Sequence, residues 1–220
     1  MAPRQCLVCG DVITTDKQGK YEFICKKCEL FLPATPENGV IYNRFIENFT
    51  PNEIAITQVY GLFHVKDNHD YLKIIHGLKY SGFTRVGKEF GRELGEQIRF
   101  DANVKYDGIV PVPIHRARLR ERGFNQSLII AKAIAEVLGV PVIQPLKRKR
   151  YTTTQTQLSK TERTRNIRDA IVPKNRDTEL DGVYLLIDDV LTTGSTANVT
   201  AQMLLEIGVR RVDIAVLAVA

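Results

Sequence analysis

Fourteen residues, Val183–Thr196, constrain this chain more than any other stretch; they read V-Y-L-L-I-D-D-V-L-T-T-G-S-T. Val183–Ile187 is an apolar run rich in β-branched side chains, which predicts a strand buried on both faces. Asp188 and Asp189 follow at its carboxyl end, then the apolar Val190 and Leu191, then Thr192, Thr193, Gly194, Ser195 and Thr196. Ala197–Ile207 reads as a helix with Ala197, Ala201, Leu204 and Gly208 on one face. A strand, a loop of small hydroxyl residues and a helix start together make an anion cradle. The first N–H groups of a helix lack internal partners and sit at the positive end of its dipole. The threonines and Ser195 add hydroxyl donors, and Gly194 lets the backbone approach a phosphate closely.

The loop is no Walker A motif, since it has neither the G-x-x-x-x-G-K-[ST] spacing nor a lysine, and one glycine makes no dinucleotide fingerprint. Two carboxylates beside a phosphate repel that ligand unless they bind hydroxyls or a cation. A ribose 5-phosphate meets both demands, with its phosphate in the loop and its 2- and 3-hydroxyls on Asp188 and Asp189. The plain alternative is a strand-turn-helix in which Asp189 merely caps the helix. Asp188–Thr196 resembles, at every position, the phosphoribosyl pyrophosphate (PRPP) motif of type I phosphoribosyltransferases: two acids, two apolar residues, then T-T-G-S-T.

At 220 residues the chain has room for one substantial domain and a small appendage. No apolar run approaches the ~20 residues of a membrane span, so no membrane insertion is expected. Met1-Ala2-Pro3-Arg4 runs straight into Cys6 and polar residues, unlike a signal peptide, and the expected location is cytoplasmic. Net charge is +6, and residues 101–176 hold most of the excess, with 16 basic against 6 acidic side chains. Such an excess marks a polyanionic partner, a pyrophosphate or a nucleic-acid backbone.

All four cysteines fall within the first 28 residues, as Cys6-x2-Cys9 and Cys25-x2-Cys28. Two such pairs match a four-thiolate zinc site, and Gly10 suits the tight turn after the first. Disulfides or free thiols are the alternatives, both poorly suited to a cytosolic chain. Residues 1–35 are therefore expected to form a zinc ribbon folded by its metal. Residues 36–100 would be a linker, short strands and helices forming a hood, and residues 101–220 an α/β core.

Pro33–Gly39 reads as a turn. Ile54–Val65 suggests a hairpin or two short strands, while Tyr71–Lys79 and Val86–Ile98 have helical spacing. From Asp107 the rhythm is βαβ: strands at Gly108–Val112, Val140–Ile143, Leu185–Ile187 and Val212–Val219, with a helix at Phe124–Leu138 ended by Gly139. This predicts a doubly wound parallel sheet, which binds ligands at the carboxyl ends of its strands. There lie His115, Arg116, Arg118, Arg120 and Arg122, whose guanidinium forks suit pyrophosphate oxygens; a solvated basic turn is the alternative. Lys147–Arg168 has almost no apolar content and reads as a lid or a disordered insert. Arg163 and Asn166 would share a face if Lys160–Asp169 were helical.

Taken together, the chain resembles the ComF family. The resemblance rests on C-x2-C-G at the start, L-K-Y at 78–80, P-V-P at 111–113, R-E-R-G-F-N-Q at 120–126, and the Gln155, Leu158, Arg163, Asn166 pattern. It implies a type I phosphoribosyltransferase-like fold with a flexible loop at 147–168. It implies Asp188 and Asp189 on ribose hydroxyls and the metal shell, residues 190–196 on the 5-phosphate, and Lys79, His115, Arg116, Arg118 and Arg122 on pyrophosphate. Mg²⁺ would accompany PRPP, and Zn²⁺ would be structural. Family members are linked to DNA uptake in bacterial competence beside a helicase-like partner. A single-stranded DNA or partner-binding module that keeps the PRPP pocket is the rival reading; the acid pair, useless on a phosphate backbone, separates the two. With no predicted segment beyond the last strand, the acceptor's cover is expected from residues 40–80 and the 147–168 loop.

Overall fold

The computed structural model describes residues 4–65, 69–80, 82–150, 168–175 and 177–220. Its strands are β1 (Val59–His64), β2 (Gly108–Pro111), β3 (Leu146–Arg148), β4 (Ile171–Pro173), β5 (Val183–Leu191) and β6 (Arg211–Val219). The α-helices are α1 (Lys26–Leu30), α2 (Asn38–Ile46), α3 (Leu72–Tyr80), α4 (Thr84–Asp101), α5 (Arg116–Arg122), α6 (Gln126–Leu138) and α7 (Ser195–Glu206). The main sheet is parallel, in the order β1-β6-β5-β2, and β3 pairs antiparallel with β4 as a separate ribbon.

Both faces of this sheet are covered. Successive strand residues point to opposite sides, so Leu185 and Ile187 join a core with Phe90, Leu94, Ile130 and Ile134 of α4 and α6. Leu186 joins the opposite core with Val199 and Leu204 of α7 and Ile41 and Phe45 of α2. That accounts for the unbroken apolar run of β5, since neither face meets water. Helix α4 lies close on α6 because of Gly91: a Cβ there would stand 2.9 Å from the Ala133 Cβ and 3.0 Å from the Ile130 carbonyl oxygen. Ala at this position would force the two helices apart.

Four local expectations change. The stretch 54–65 holds no hairpin; it supplies one strand, β1, parallel to β6 at the edge of the main sheet. The alternation seen in sequence belongs to a pairing with residues over 150 positions away, which neither a hairpin nor two short strands within the stretch could anticipate. Strand β5 does not stop at Ile187: Asp188 pairs with Val216 and Leu191 with Val219, so both acids lie inside the ladder. Backbone pairing is indifferent to side-chain polarity. The basic stretch after β2 is a helix, α5, started by His115, whose Nδ1 accepts from the Ala117 N–H at 3.1 Å, and ended by Gly123 at φ 79°. The predicted strand at 140–143 reduces to one parallel bridge, Val142 to Ile109.

The cysteine-bearing segment is welded to the rest. Cys6, Val8, Tyr21, Ile24, Cys25 and Cys28 share a core with Phe63, Ile74, Phe90 and Leu94. The Tyr21 ring stacks on Phe90 at 4.3 Å and its hydroxyl hydrogen-bonds Glu93. Tyr71 donates to the Cys28 carbonyl at 2.8 Å, and Lys73 Nζ to the Val8 carbonyl at 3.1 Å. Strand β1 and helix α4 belong to the main sheet and its cover, so the segment 36–100 contributes to the core.

Candidate functional site

The site lies where β2 and β5 end. Strand β5 delivers Asp188 and Asp189, then runs through Val190 and the buried Leu191 into the turn Thr192-Thr193-Gly194. Thr192 and Thr193 are exposed, while Ser195 and Thr196 open α7. Gly194 adopts φ 76°, a left-handed conformation open to glycine at little cost. Space demands glycine too: a Cβ there would stand 2.5 Å from Cε2 of Phe45 in α2. No side chain caps α7, and among the described residues no acceptor meets the N–H groups of Thr196 and Ala197. The hydroxyls of Thr193 and Ser195 pair at 3.1 Å. The result is a short concave turn with free donors at a helix start, the geometry that holds a phosphate.

The two acids have different surroundings. Asp188 Oδ1 accepts from the Ser127 hydroxyl at 3.0 Å and from the Asp189 N–H at 2.9 Å. Burial, then the neighbouring charge of Asp189, push the Asp188 carboxyl up to about 7, against the pull of the Asp189 N–H, Lys79 and Ser127. Asp189 is 4% exposed, and its Oδ2 lies 2.9 Å from the ammonium of Lys79. The angle is not that of a hydrogen bond, and this buried oxygen has no hydrogen-bond partner. A buried carboxylate oxygen without a donor is costly unless something arrives to use it. A sugar hydroxyl or a hydrated cation would supply what is missing, so the pair fits both.

The predicted cationic residues divide. Lys79, expected on pyrophosphate, sits on Asp189. Arg118 is close enough to Arg148 of β3 for the two charges to interact, and Arg148 also feels Asp188; burial first, then Arg118, lowers the Arg148 pKa. The backbone of His115 bridges to Arg148 in parallel. Arg116 stands exposed on the first turn of α5. Arg122 is engaged elsewhere: its guanidinium donates to Gln126 Oε1 at 3.1 Å and to the Tyr80 hydroxyl at 3.3 Å, and covers the Tyr80 ring. Gln155, Leu158, Arg163 and Asn166 lie outside the described residues. Ser127 and Arg148 escaped the sequence reading, because only the fold carries them to Asp188. The nearest signal was the R-E-R-G-F-N-Q run at 120–126, which ends one residue before Ser127.

Away from this site, the sulfurs of Cys6, Cys9, Cys25 and Cys28 all lie within 4.8 Å of one another and could hold a metal ion. The four are free cysteines, three of them buried. Burial opposes ionisation of Cys6, yet N–H donors from Cys25, Cys9 and Val8 bring its thiol down to about 7. Burial and the neighbouring thiols push Cys28 the other way. Among the described residues, no helix is long and apolar enough to cross a membrane.

Comparison with known proteins agrees with this layout. The family described as "Phosphoribosyl transferase domain" matches residues 125–219, which includes the acid pair and its loop. A "DNA utilization protein YhgH" of Escherichia coli (strain K12) is 31% identical over 216 residues, 95% of this chain and 87% of that protein. The protein of the same name from Salmonella typhi is 33% identical over 147 residues, 64% of this chain and 63% of that one. "Competence protein F" of Haemophilus influenzae is 34% identical over 49% of this chain and 48% of its own. The chain thus spans less than two thirds of the Salmonella and Haemophilus relatives.

Proposed function

Because this chain belongs to the ComF family of phosphoribosyltransferase-like proteins, we propose that it binds PRPP and transfers the phosphoribosyl group with release of pyrophosphate, in the service of DNA uptake or use. The observation that carries the proposal is the acid pair, with Asp189 Oδ2 ion-paired to Lys79 but without a hydrogen bond, set directly before an uncapped phosphate turn. In this reading the N–H groups and hydroxyls of residues 192–196 hold the 5-phosphate. Asp188 and Asp189 accept the ribose hydroxyls, and Lys79 offsets their charge so that two carboxylates tolerate an anionic ligand. His115, Arg116, Arg118 and Arg148 face the pyrophosphate from α5 and β3.

In the reaction the bond from C1 to the pyrophosphate oxygen breaks, the leaving group takes the electron pair, and the acceptor's lone pair forms the new bond to C1. The sugar gains positive character as this happens, and the acids lower its energy. Mg²⁺, bound with PRPP beside the acids, would supply positive charge to the leaving group. The chain's residues otherwise act by positioning. Residues 36–100 serve as cover as well as core, since Phe45 and Lys79 both reach the site. Residues 101–220 carry the chemistry. Residues 1–35 form a zinc module: a tetrahedral ion with Zn–S of about 2.3 Å sets sulfurs about 3.8 Å apart, and Cys9 and Cys25 stand 3.8 Å apart. Four free thiols suit a reducing cytoplasm. The test is to incubate the protein with PRPP, Mg²⁺ and a panel of bases and amines while following pyrophosphate. Release dependent on one acceptor supports transfer; no release with any acceptor, in a protein that still binds PRPP, leaves only a binding role.

A second reading has its own observation. A groove of about 480 Å³ on the β3–β4 ribbon is lined by Lys147, Lys149, Lys174, Val172, Pro173 and Asn175. Among the described residues none of the three ammonium groups meets a carboxylate. Single-stranded DNA fits this charge, and a helicase-like partner would act on the same strand. Fluorescence anisotropy with a labelled oligonucleotide tests it. Alanine at the three lysines should weaken binding and flatten its salt dependence.

A further inference from the structure

Ser127 is fully buried at the start of α6, in the run Asn125-Gln126-Ser127 that follows the basic helix after Gly123 and Phe124. Its backbone N–H is taken by Asn125 Oδ1 at 3.0 Å, and the Asn125 amide donates in turn to the Val112 carbonyl, just past β2, at 3.1 Å. Its hydroxyl donates to Asp188 Oδ1, 61 residues further along the chain, at 3.0 Å. Three elements are thereby tied through one small side chain: the end of β2, the cap of α6 and the first acid on β5.

We propose that Ser127 is a positioning residue for Asp188, deciding which of its carboxylate oxygens meets the ligand. Oδ1 is committed to the protein, since both Ser127 and the Asp189 N–H donate to it. Among the described residues no donor reaches Oδ2, which is therefore the oxygen presented to the ribose. The Asp188 side chain turns about two bonds, and with only the N–H of its own neighbour as donor it samples other rotamers. A hydrogen bond from a buried, capped serine removes that freedom before the ligand arrives, which is the preorganisation that binding sites need. Asn125 is the anchor: its cap bond holds Ser127 at the helix start, and its bond to Val112 fixes that start to the sheet. The side-chain charges of Asp189, Lys79 and Arg148 press on Asp188. Among the described residues the Asp189 N–H is the one other donor to its Oδ1, so the Ser127 hydroxyl is the donor that ties the carboxylate to a second element.

This inference rests on the PRPP reading for its consequence but not for its first test. Crystal structures of Ser127→Ala and Ser127→Thr, without ligand, show directly whether Asp188 stays. The expectation is that Asp188 spreads over rotamers in Ser127→Ala and keeps its place in Ser127→Thr, which retains the hydroxyl. Should Ser127→Ala fail to fold, Ser127→Cys keeps the shape with a weak donor and should show the same spread. Asp188 unmoved in the variant lacking a donor would overturn the proposal. The second test is calorimetry with PRPP and Mg²⁺. Ser127→Ala should bind about ten-fold more weakly, Ser127→Thr within about two-fold of the parent. In an Asp188→Ala background the serine change should add less than about two-fold, because nothing remains to position. Equal losses in both backgrounds would make Ser127 merely structural and overturn the proposal. A parent protein that binds no PRPP, with Asp188 displaced in Ser127→Ala, would refute the phosphoribosyl reading and leave the positioning role standing.

Discussion

Gly194→Ala should damage this protein through two separable terms. The first is conformational: at φ 76° a Cβ is strained, costing about 1–2 kcal/mol. The second is steric, because the new Cβ would stand 2.5 Å from Cε2 and 2.6 Å from Cδ2 of Phe45. Phe45 is 3% exposed and packed against Phe49 at 4.9 Å, so it cannot swing clear, and overpacking of this kind costs about 1–3 kcal/mol. The sum, about 2–5 kcal/mol, is a large part of the stability of a typical domain. Urea unfolding reads it as a lowered midpoint at unchanged slope. A double-mutant cycle with Phe45→Ala separates the terms. With the ring gone, Gly194→Ala should cost only the strain of about 1–2 kcal/mol. A single variant costing under about 0.5 kcal/mol, or an equal cost in both backgrounds, would refute the reasoning, since surface changes fall within that range.

Three further perturbations follow from the same geometry. Lys79→Met strands the Asp189 charge and should cost about 2–3 kcal/mol by urea unfolding, less than a fully buried pair because Lys79 is partly exposed. Adding Asp189→Asn should restore most of that, and a double variant no better than the single one would deny the pairing. Asp188, held up to about 7 by burial and then by Asp189, binds its proton more readily folded than unfolded. Its contribution to stability is thus fully present below its ordinary value of about 4 and lost as pH rises through about 7. Melting temperatures of the parent, measured against Asp188→Asn, should fall across that window, and a flat difference would contradict the assignment. Stripping the cysteine site with a chelator should speed amide exchange in residues 4–32 and also in α3 and α4, which share its core. Exchange confined to the cysteine segment would show that the shared core does not couple them.

The parts of the fold that sequence displayed are those encoded locally. The apolar run of β5, the four-residue rhythm of α4 and the Gly139 stop after α6 each depend on neighbours within a turn or two. The hidden parts depend on distant pairing. The stretch that became β1 alternates like any half-buried strand, and nothing within it names β6 as its partner. Asp213 lay inside a segment read as plain apolar strand. In the fold it is wholly buried, with the Arg211 guanidinium donating to both its oxygens and the Tyr106 hydroxyl at 2.8 Å. The arginine run of α5 read as a pyrophosphate-binding loop or a solvated basic turn, and it is a helix because its residue types favour one and both of its ends are capped. Of the site itself, the acids and the turn were legible because one contiguous run holds them. Ser127, Arg148 and the Lys79–Asp189 pairing were not, because each joins segments that only the folded sheet brings together.

The central claim, that the acid pair and its turn hold a phosphoribosyl ligand, is tested most directly by titration calorimetry of PRPP with Mg²⁺. The parent protein should be compared with a folded Asp188→Ala, Asp189→Ala double variant whose circular dichroism matches the parent. The account predicts saturable binding to the parent and none to the double variant. Equal affinity in the two, or no binding to the parent, would contradict it.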